Sequence, residues 1–234
     1  MPGSRKVGEV LKMSRLMVTY VAVGVATLFT VISAGAAAPP APTQVASCAS
    51  CHGAGGLGQV GSAFPTLAGL SSTYIEHQLY DFKHGTRDNS IMKSMAAPLD
   101  AGQRKAIGEY YAALKVPAKP EPMPMPTGLG AEIARNGDWG NKTSGLPSCD
   151  SCHGPYGIGV GTEFPRLAGQ PKAYLVAQLN DWRKGSRKNG PLHLMNYVAS
   201  KLTPAQIEAV AGYYSQLSAN PNHLPKPGDA NGGK

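Results

Sequence analysis

Apolar residues in this chain recur with a helical period. Ile107, Tyr110, Tyr111 and Leu114 stand at i, i+3, i+4 and i+7, and Ile207, Val210, Tyr214 and Leu217 mark a second such face. Residues so spaced share one side of a 3.6-residue helix, so both stretches predict amphipathic helices. Each has a start signal. Asp100 is followed three residues later by Gln103, and Thr203 by Gln206, which predicts a capping box in both; Pro204 sits at a first helical position. Two further helices are predicted, from near Ser72 to about Lys83 and from about Pro171 to Lys184. No segment alternates convincingly enough for a half-buried strand, so the expected class is all-α.

These elements come in matched sets. Phe64-Pro65-Thr66-Leu67-Ala68-Gly69 returns as Phe164-Pro165-Arg166-Leu167-Ala168-Gly169, and 11 of the 24 positions in 64–87 are identical in 164–187. Tyr74, Gln78, Leu79, Asp81, Gly85 and Arg87 all have their counterparts 100 residues on. A second block repeats at an offset of 103, with Leu99, Gln103, Tyr110-Tyr111 and Leu114 matching Leu202, Gln206, Tyr213-Tyr214 and Leu217. A period this long signals duplication of a whole domain, not a solenoid. Between the copies, alternating Pro from Pro117 to Pro126 makes an extended, semi-rigid spacer.

The N-terminal stretch does not belong to this plan. Arg5, Lys6, Lys12 and Arg15 precede an uncharged run from Leu16 to Ala38 that ends in small residues. A basic start, an apolar middle and an A-x-A end describe a secretory signal peptide, with Ala34-Gly35-Ala36 before the cut. The run is also long enough to span a bilayer, so an uncleaved anchor stays open. Both readings place the rest of the chain outside the cytoplasm. The 234-residue chain carries a net charge of +8, which falls to +5 over 198 residues without 1–36. No Lys/Arg run is interleaved with aromatics, so nucleic acid is not indicated.

The chemistry lies in two pentapeptides. Cys48-Ala49-Ser50-Cys51-His52 and Cys149-Asp150-Ser151-Cys152-His153 are both C-x-x-C-H, the attachment motif for a c-type haem. Two thiols on one helical turn reach the two vinyl groups of a haem as thioethers, and the next residue presents its imidazole to the iron. The four cysteines are thereby used. A four-Cys zinc site is the rival, but nearly a hundred residues between pairs is far outside usual ligand spacing, and zinc does not explain a His after both. Each copy has only about 100 residues, and two buried haems would supply missing apolar volume. The repeat then points to the sixth ligand. Met92 falls on Met195, whereas Met95 falls on Val198, His77 on Ala177 and His84 on Lys184. Met92 and Met195 are therefore the expected axial partners of His52 and His153, with Met95 the substitute for Met92. Methionine ligation raises the potential.

With F-P-x-L-A-G, Y-x-x-x-Q-L-x-D-[FW]-[KR]-x-G-[ST]-R, a Met and a Tyr-Tyr-bearing last helix after each C-x-x-C-H, the chain resembles cytochrome c4 over about 43–217. The resemblance implies two tandem class I cytochrome c domains, each built around a covalently bound haem, packed about a pseudo-two-fold axis with the haems near the interface. It also implies that the carbonyls of Pro65 and Pro165 accept from His52 and His153. Two departures stand out: few residues precede Cys48, so the first helix of copy one is short, and copy two inserts Gly137–Lys142.

The expected organisation is a signal peptide or anchor at 1–36, an N-terminal cytochrome domain at 37–116, a linker at 117–130, a C-terminal domain at 131–220 and a tail at 221–234. The implied function is a periplasmic dihaem electron carrier, not an enzyme. It would take single electrons from a quinol-oxidising complex or periplasmic donor and pass them to a terminal oxidase, at or near the membrane surface. The alternative is the dihaem subunit of a periplasmic dehydrogenase. A dihaem enzyme in its own right needs an open or unusual ligand, and no spare Cys or repeated His offers one. Copy two has the larger cationic excess, net +4 against +1 for copy one, and Arg183, Lys184, Arg187 and Lys188 belong to it. Cations at a helix end suit its dipole; they also suit a rim that steers an acidic partner.

Overall fold

The computed structural model describes residues 40–59, 61–117, 125–140 and 145–224. The expected leader, most of the proline-rich linker (118–124) and most of the tail (225–234) lie outside these.

Copy one contains α1 (Val45–His52), α2 (Ser72–His84), α3 (Ser90–Ala96) and α4 (Ala101–Ala113). Copy two contains α5 (Leu129–Asn136), α6 (Asp150–His153), α7 (Lys172–Lys184), α8 (Leu194–Lys201) and α9 (Pro204–Gln216), with short 3-10 turns at Pro155–Gly157, Pro191–His193 and Pro221–His223. Among the described residues there is no strand, only three isolated bridges. The class is all-α.

The local signals explain the helix ends. Asp100 and Thr203 accept from the amides of Gln103 and Gln206, whose side chains bond back, completing both capping boxes. α2 and α7 stop at Gly85 and Gly185, both left-handed. α4 and α9 end one residue short of Leu114 and Leu217, which cap them in extended conformation. The leucine side chains still join the cores, because the chain turns there without leaving the apolar face.

In copy one, α2 and α4 pack on each other around Tyr74, Ile75, Leu79, Ile107 and Tyr111. A Cβ at Gly108 would lie 2.5 Å from the Ser72 carbonyl oxygen, so this crossing requires glycine. Copy two repeats the pair as α7 and α9 and adds α5 across α9. There Gly130 sits against the Ala209 carbonyl, leaving no room for a side chain. Between α5 and α6 the Asp138 amide meets the Leu146 carbonyl at 2.9 Å and the Leu146 amide the Asp138 carbonyl at 3.3 Å, with Leu146 fully buried.

The copies meet through matching segments. The Asp88 amide bonds the Ser186 carbonyl at 2.9 Å and the Lys188 amide the Thr86 carbonyl at 2.8 Å, setting Arg87 opposite Arg187. Side chains without repeat counterparts complete the junction. Gln170 bonds both amide and carbonyl of Thr66, at 3.0 and 2.8 Å, and Arg166 reaches the carbonyls of Ala68 and Ala168 at 2.7 and 2.8 Å.

Candidate cofactor site

In each copy the C-x-x-C-H turn ends its helix and folds back over the F-P-x-L-A-G segment. The Gly58 amide bonds the His52 carbonyl at 2.8 Å, and Leu67 and Ala68 donate to the Gly56 carbonyl at 2.7 and 3.0 Å. Copy two repeats this, with Gly159 on His153 at 2.7 Å and Leu167 and Ala168 on Gly157 at 2.8 and 3.0 Å. Gly56 and Gly157 have φ of +64° and +68°, and a Cβ there would come within 2.7 Å of the Tyr111 ring and 2.5 Å of the Tyr214 ring. Both the conformation and the close approach need glycine.

That loop delivers a carbonyl to each imidazole. His52 Nδ1 lies 3.0 Å from Pro65 O and His153 Nδ1 2.8 Å from Pro165 O. A carbonyl only accepts, so each Nδ1 carries the hydrogen and each Nε2 keeps its lone pair. Burial lowers both histidine pKa values, holding the rings neutral, while the proline carbonyls oppose the shift. Burial raises the Cys48 thiol and pushes Cys149 up to about 12. A thiolate nucleophile needs the opposite shift.

The expected site residues come together in two separate cavities. Cys48, Cys51, His52, Pro65 and Met92 line one of about 520 Å³, and Cys149, Cys152, His153, Pro165 and Met195 line a narrower one of about 100 Å³. Met95 lines the first cavity beside Met92, whereas its counterpart Val198 leaves copy two with Met195. His77 and His84 line neither; His77 approaches Glu163 at 3.8 Å, and His84 stacks on Tyr80 at 3.9 Å. The cysteine pairs line different cavities, so a shared four-Cys zinc site is not assembled.

Each cavity also has a buried arginine from the G-x-R repeat, and Arg166 lines the second cavity as well. Arg87 donates to Gln78, Tyr174 and Gln178 at 2.8, 3.0 and 2.6 Å; Arg187 donates to Gln178, Tyr74, Gln78 and Asn189 at 2.8, 3.1, 2.9 and 2.9 Å. None of these partners is a carboxylate. Burial and the facing Arg87 cation both lower Arg187. Against burial, Tyr174, Tyr74 and the nearby Asp181 carboxylate raise Arg87, but neither guanidinium is hydrogen-bonded to a carboxylate, which fits an acid-bearing ligand edge between the copies. The expected basic rim is corrected here: Arg187 is 3% exposed and belongs to this cluster, because its guanidinium stacks on Trp182 at 3.8 Å and turns inward. Arg183, Lys184 and Lys188 do remain exposed. The signal for the arginine cluster was the G-x-R repeat itself, together with Tyr74/Tyr174 and Gln78/Gln178.

Apolar walls, paired thiols, a neutral imidazole with a free lone pair and a thioether sulfur make a donor set suited to covalently held haem. The family model for cytochrome c matches residues 42–133 and 139–218. The chain belongs to the cytochrome c family. It is 44% identical over 162 residues to a thiosulfate dehydrogenase electron acceptor of Thiomonas intermedia, covering 68% of this chain and 73% of that one. The reduced cytochrome c4 of Pseudomonas stutzeri matches with a TM-score of 0.64 and 34% identity, over 74% of this chain and 95% of that one. A thiosulfate dehydrogenase, TsdBA, of Marichromatium purpuratum matches with a TM-score of 0.66 and 38% identity over 74% of this chain, but this cytochrome spans only 36% of that longer chain. The protein is a two-domain dihaem cytochrome of the c4 type that carries two covalently bound haems c and exchanges electrons with redox proteins. Among the described residues no helix is long and apolar enough to cross a membrane.

Proposed function

We propose that this cytochrome accepts single electrons in the periplasm from a thiosulfate dehydrogenase and passes them toward a terminal oxidase. The observation that carries the donor is the 44% identity to a protein named for that role. The uncharged run ahead of residue 39 supports export, as a cleaved leader at 1–36 or as an anchor. The domains are 37–116 and 131–220, joined by 117–130 and followed by a tail from 221.

Cys48 and Cys51 hold one haem and Cys149 and Cys152 the other. Bound haem supplies an iron that cycles between two oxidation states without a change of ligands. His52 with Met92, and His153 with Met195, would supply the protein ligands of the two irons, a set that leaves no place for substrate. Pro65 and Pro165 fix the imidazole rings and raise their basicity. Arg87 and Arg187 would neutralise the acid groups of bound haem at the junction, where Tyr74, Tyr174 and the two glutamines hold the guanidinium groups in place.

The test mixes oxidised cytochrome with thiosulfate, with and without purified thiosulfate dehydrogenase. Reduction of both haems only when the dehydrogenase is present is the expected result. Reduction by thiosulfate alone would make the chain an enzyme. Failure with the dehydrogenase, alongside fast reduction by a quinol-oxidising complex, would leave a respiratory shuttle.

A further inference from the structure

The two attachment loops differ at one charged position. Asp150 stands between the cysteines of copy two where copy one has Ala49. Asp150 is tied into its loop: Oδ1 accepts from the Tyr214 hydroxyl at 2.8 Å, and Oδ2 from the Tyr156 amide at 3.1 Å. Tyr214 lines the second cavity, and its hydroxyl lies beside the Cys149 sulfur. Tyr156 presents its amide from a left-handed φ of +58°, a conformation a tyrosine rarely takes. In copy one the equivalent Tyr111 hydroxyl is buried beside the Cys48 sulfur, with no carboxylate to accept from it. The carboxylate is thus a built feature of one copy. Arg135, on α5, offsets part of its charge.

We propose that Asp150 lowers the potential of the haem held in copy two, against the pull of Arg166 and Arg187 on the same cavity. A fixed negative charge inside the loop favours the ferric state, whose net charge is one unit more positive. Copy one has Ala49 at that place, and the carboxylates of its cavity, Asp88 and Asp181, lie outside the attachment loop. The inference rests on Cys149, Cys152, His153 and Met195 holding the second haem. Asp150 acts here as a positioning residue, through field and hydrogen bond, without touching the iron.

The test is spectroelectrochemical titration of the full matured chain, with haem count by intact mass. The couple of copy two is assigned as the one altered in Met195→Ala. Asp150→Asn keeps the side-chain shape and is expected to retain two haems. Its copy-two potential should rise, moving the electron partition about tenfold toward copy two, equivalent to 59 mV for one electron. Ala49→Asp should lower the copy-one couple. An Asp150→Asn couple that stays put or falls overturns the proposal. Should that variant fail to mature, Ala49→Asp decides: a lowered copy-one couple supports the proposal, an unmoved one overturns it. A wild-type mass showing no haem on copy two would instead overturn the site assignment, so the two failures are distinguishable.

Discussion

Copy one enters its C-x-x-C-H turn directly from α1, whereas copy two reaches it from a separate helix, α5, through the Asp138–Leu146 bridge. The last helix shows the consequence. In copy two, α5 covers α9 with Gly130 against Ala209 and Arg135 over the Tyr213 ring at 5.9 Å. In copy one the equivalent Tyr110 stays half-buried, with no described helix across it. The cavities differ as well, about 520 Å³ against about 100 Å³. Yet the imidazole–carbonyl bonds, the tyrosine-contacting glycines and the inward arginines are the same in both. Residues that face the cofactor hold their geometry while the scaffold behind them changes, since a ligand position tolerates little displacement and an outer helix can be exchanged for other cover.

That contrast breaks most visibly at the methionines. Met195→Ala and Met92→Ala should each remove about half of the methionine–iron charge-transfer absorbance and lower one potential, while Met95→Ala should leave both bands. If Met95→Ala removes the band and Met92→Ala keeps it, the ligand in copy one is Met95, which shares the cavity. Next come the glycines. Gly157→Ala and Gly56→Ala should destabilise the chain by about 2–3 kcal/mol each, read from denaturant midpoints, because both left-handed strain and ring overlap act there. Gly161→Ala, also left-handed but facing open space, should cost only about 1 kcal/mol. Equal losses at all three would mean that the ring contact contributes nothing.

The junction separates the copies more finely. Arg166→Ala strips the Ala68 and Ala168 carbonyls of a buried partner and should cost about 2 kcal/mol, against about 1 kcal/mol for Thr66→Ala, which loses one bond to the Leu57 carbonyl. Burial lowers the Arg166 guanidinium to about 10. The unfolded chain then binds its proton more tightly, so stability from this group rises only as pH climbs above 10. Below that, folded and unfolded states are both protonated, and the Arg166→Ala loss should be flat between about pH 6 and 9. A loss that varies across that range would place another titrating group at the junction. The smallest effect on the molecule itself concerns docking. Copy one has His84 and Asp88 where copy two has Lys184 and Lys188. Lys184→His with Lys188→Asp should leave both haem spectra unchanged, slow association with an acidic redox partner, and flatten its salt dependence. An unchanged rate would leave these lysines as ordinary helix-end cations.

Local and repeated information was legible in the chain by itself. The capping boxes, the helices from near Ser72 and Pro171, the two C-x-x-C-H turns and the pairing of Met92 with Met195 all follow from spacing, because a helix face and a duplicated motif are written in sequence order. The resemblance located the Pro65 and Pro165 carbonyls before the fold put them within 3.0 Å of their histidines. Side-chain direction was decided only by tertiary structure. Arg187 looked like one more cation at a helix end; stacking on Trp182 turned it inward, to meet Arg87 from the other copy. Met95 and Met92, one turn apart on α3, both face the cavity, and no spacing argument predicts how far that wall opens. The Asp150–Tyr214 bond joins residues 64 apart in the chain, and only packing of α9 over the loop brings them together. Such contacts depend on which faces two helices bury against each other, a choice made by the whole core and not by any one segment.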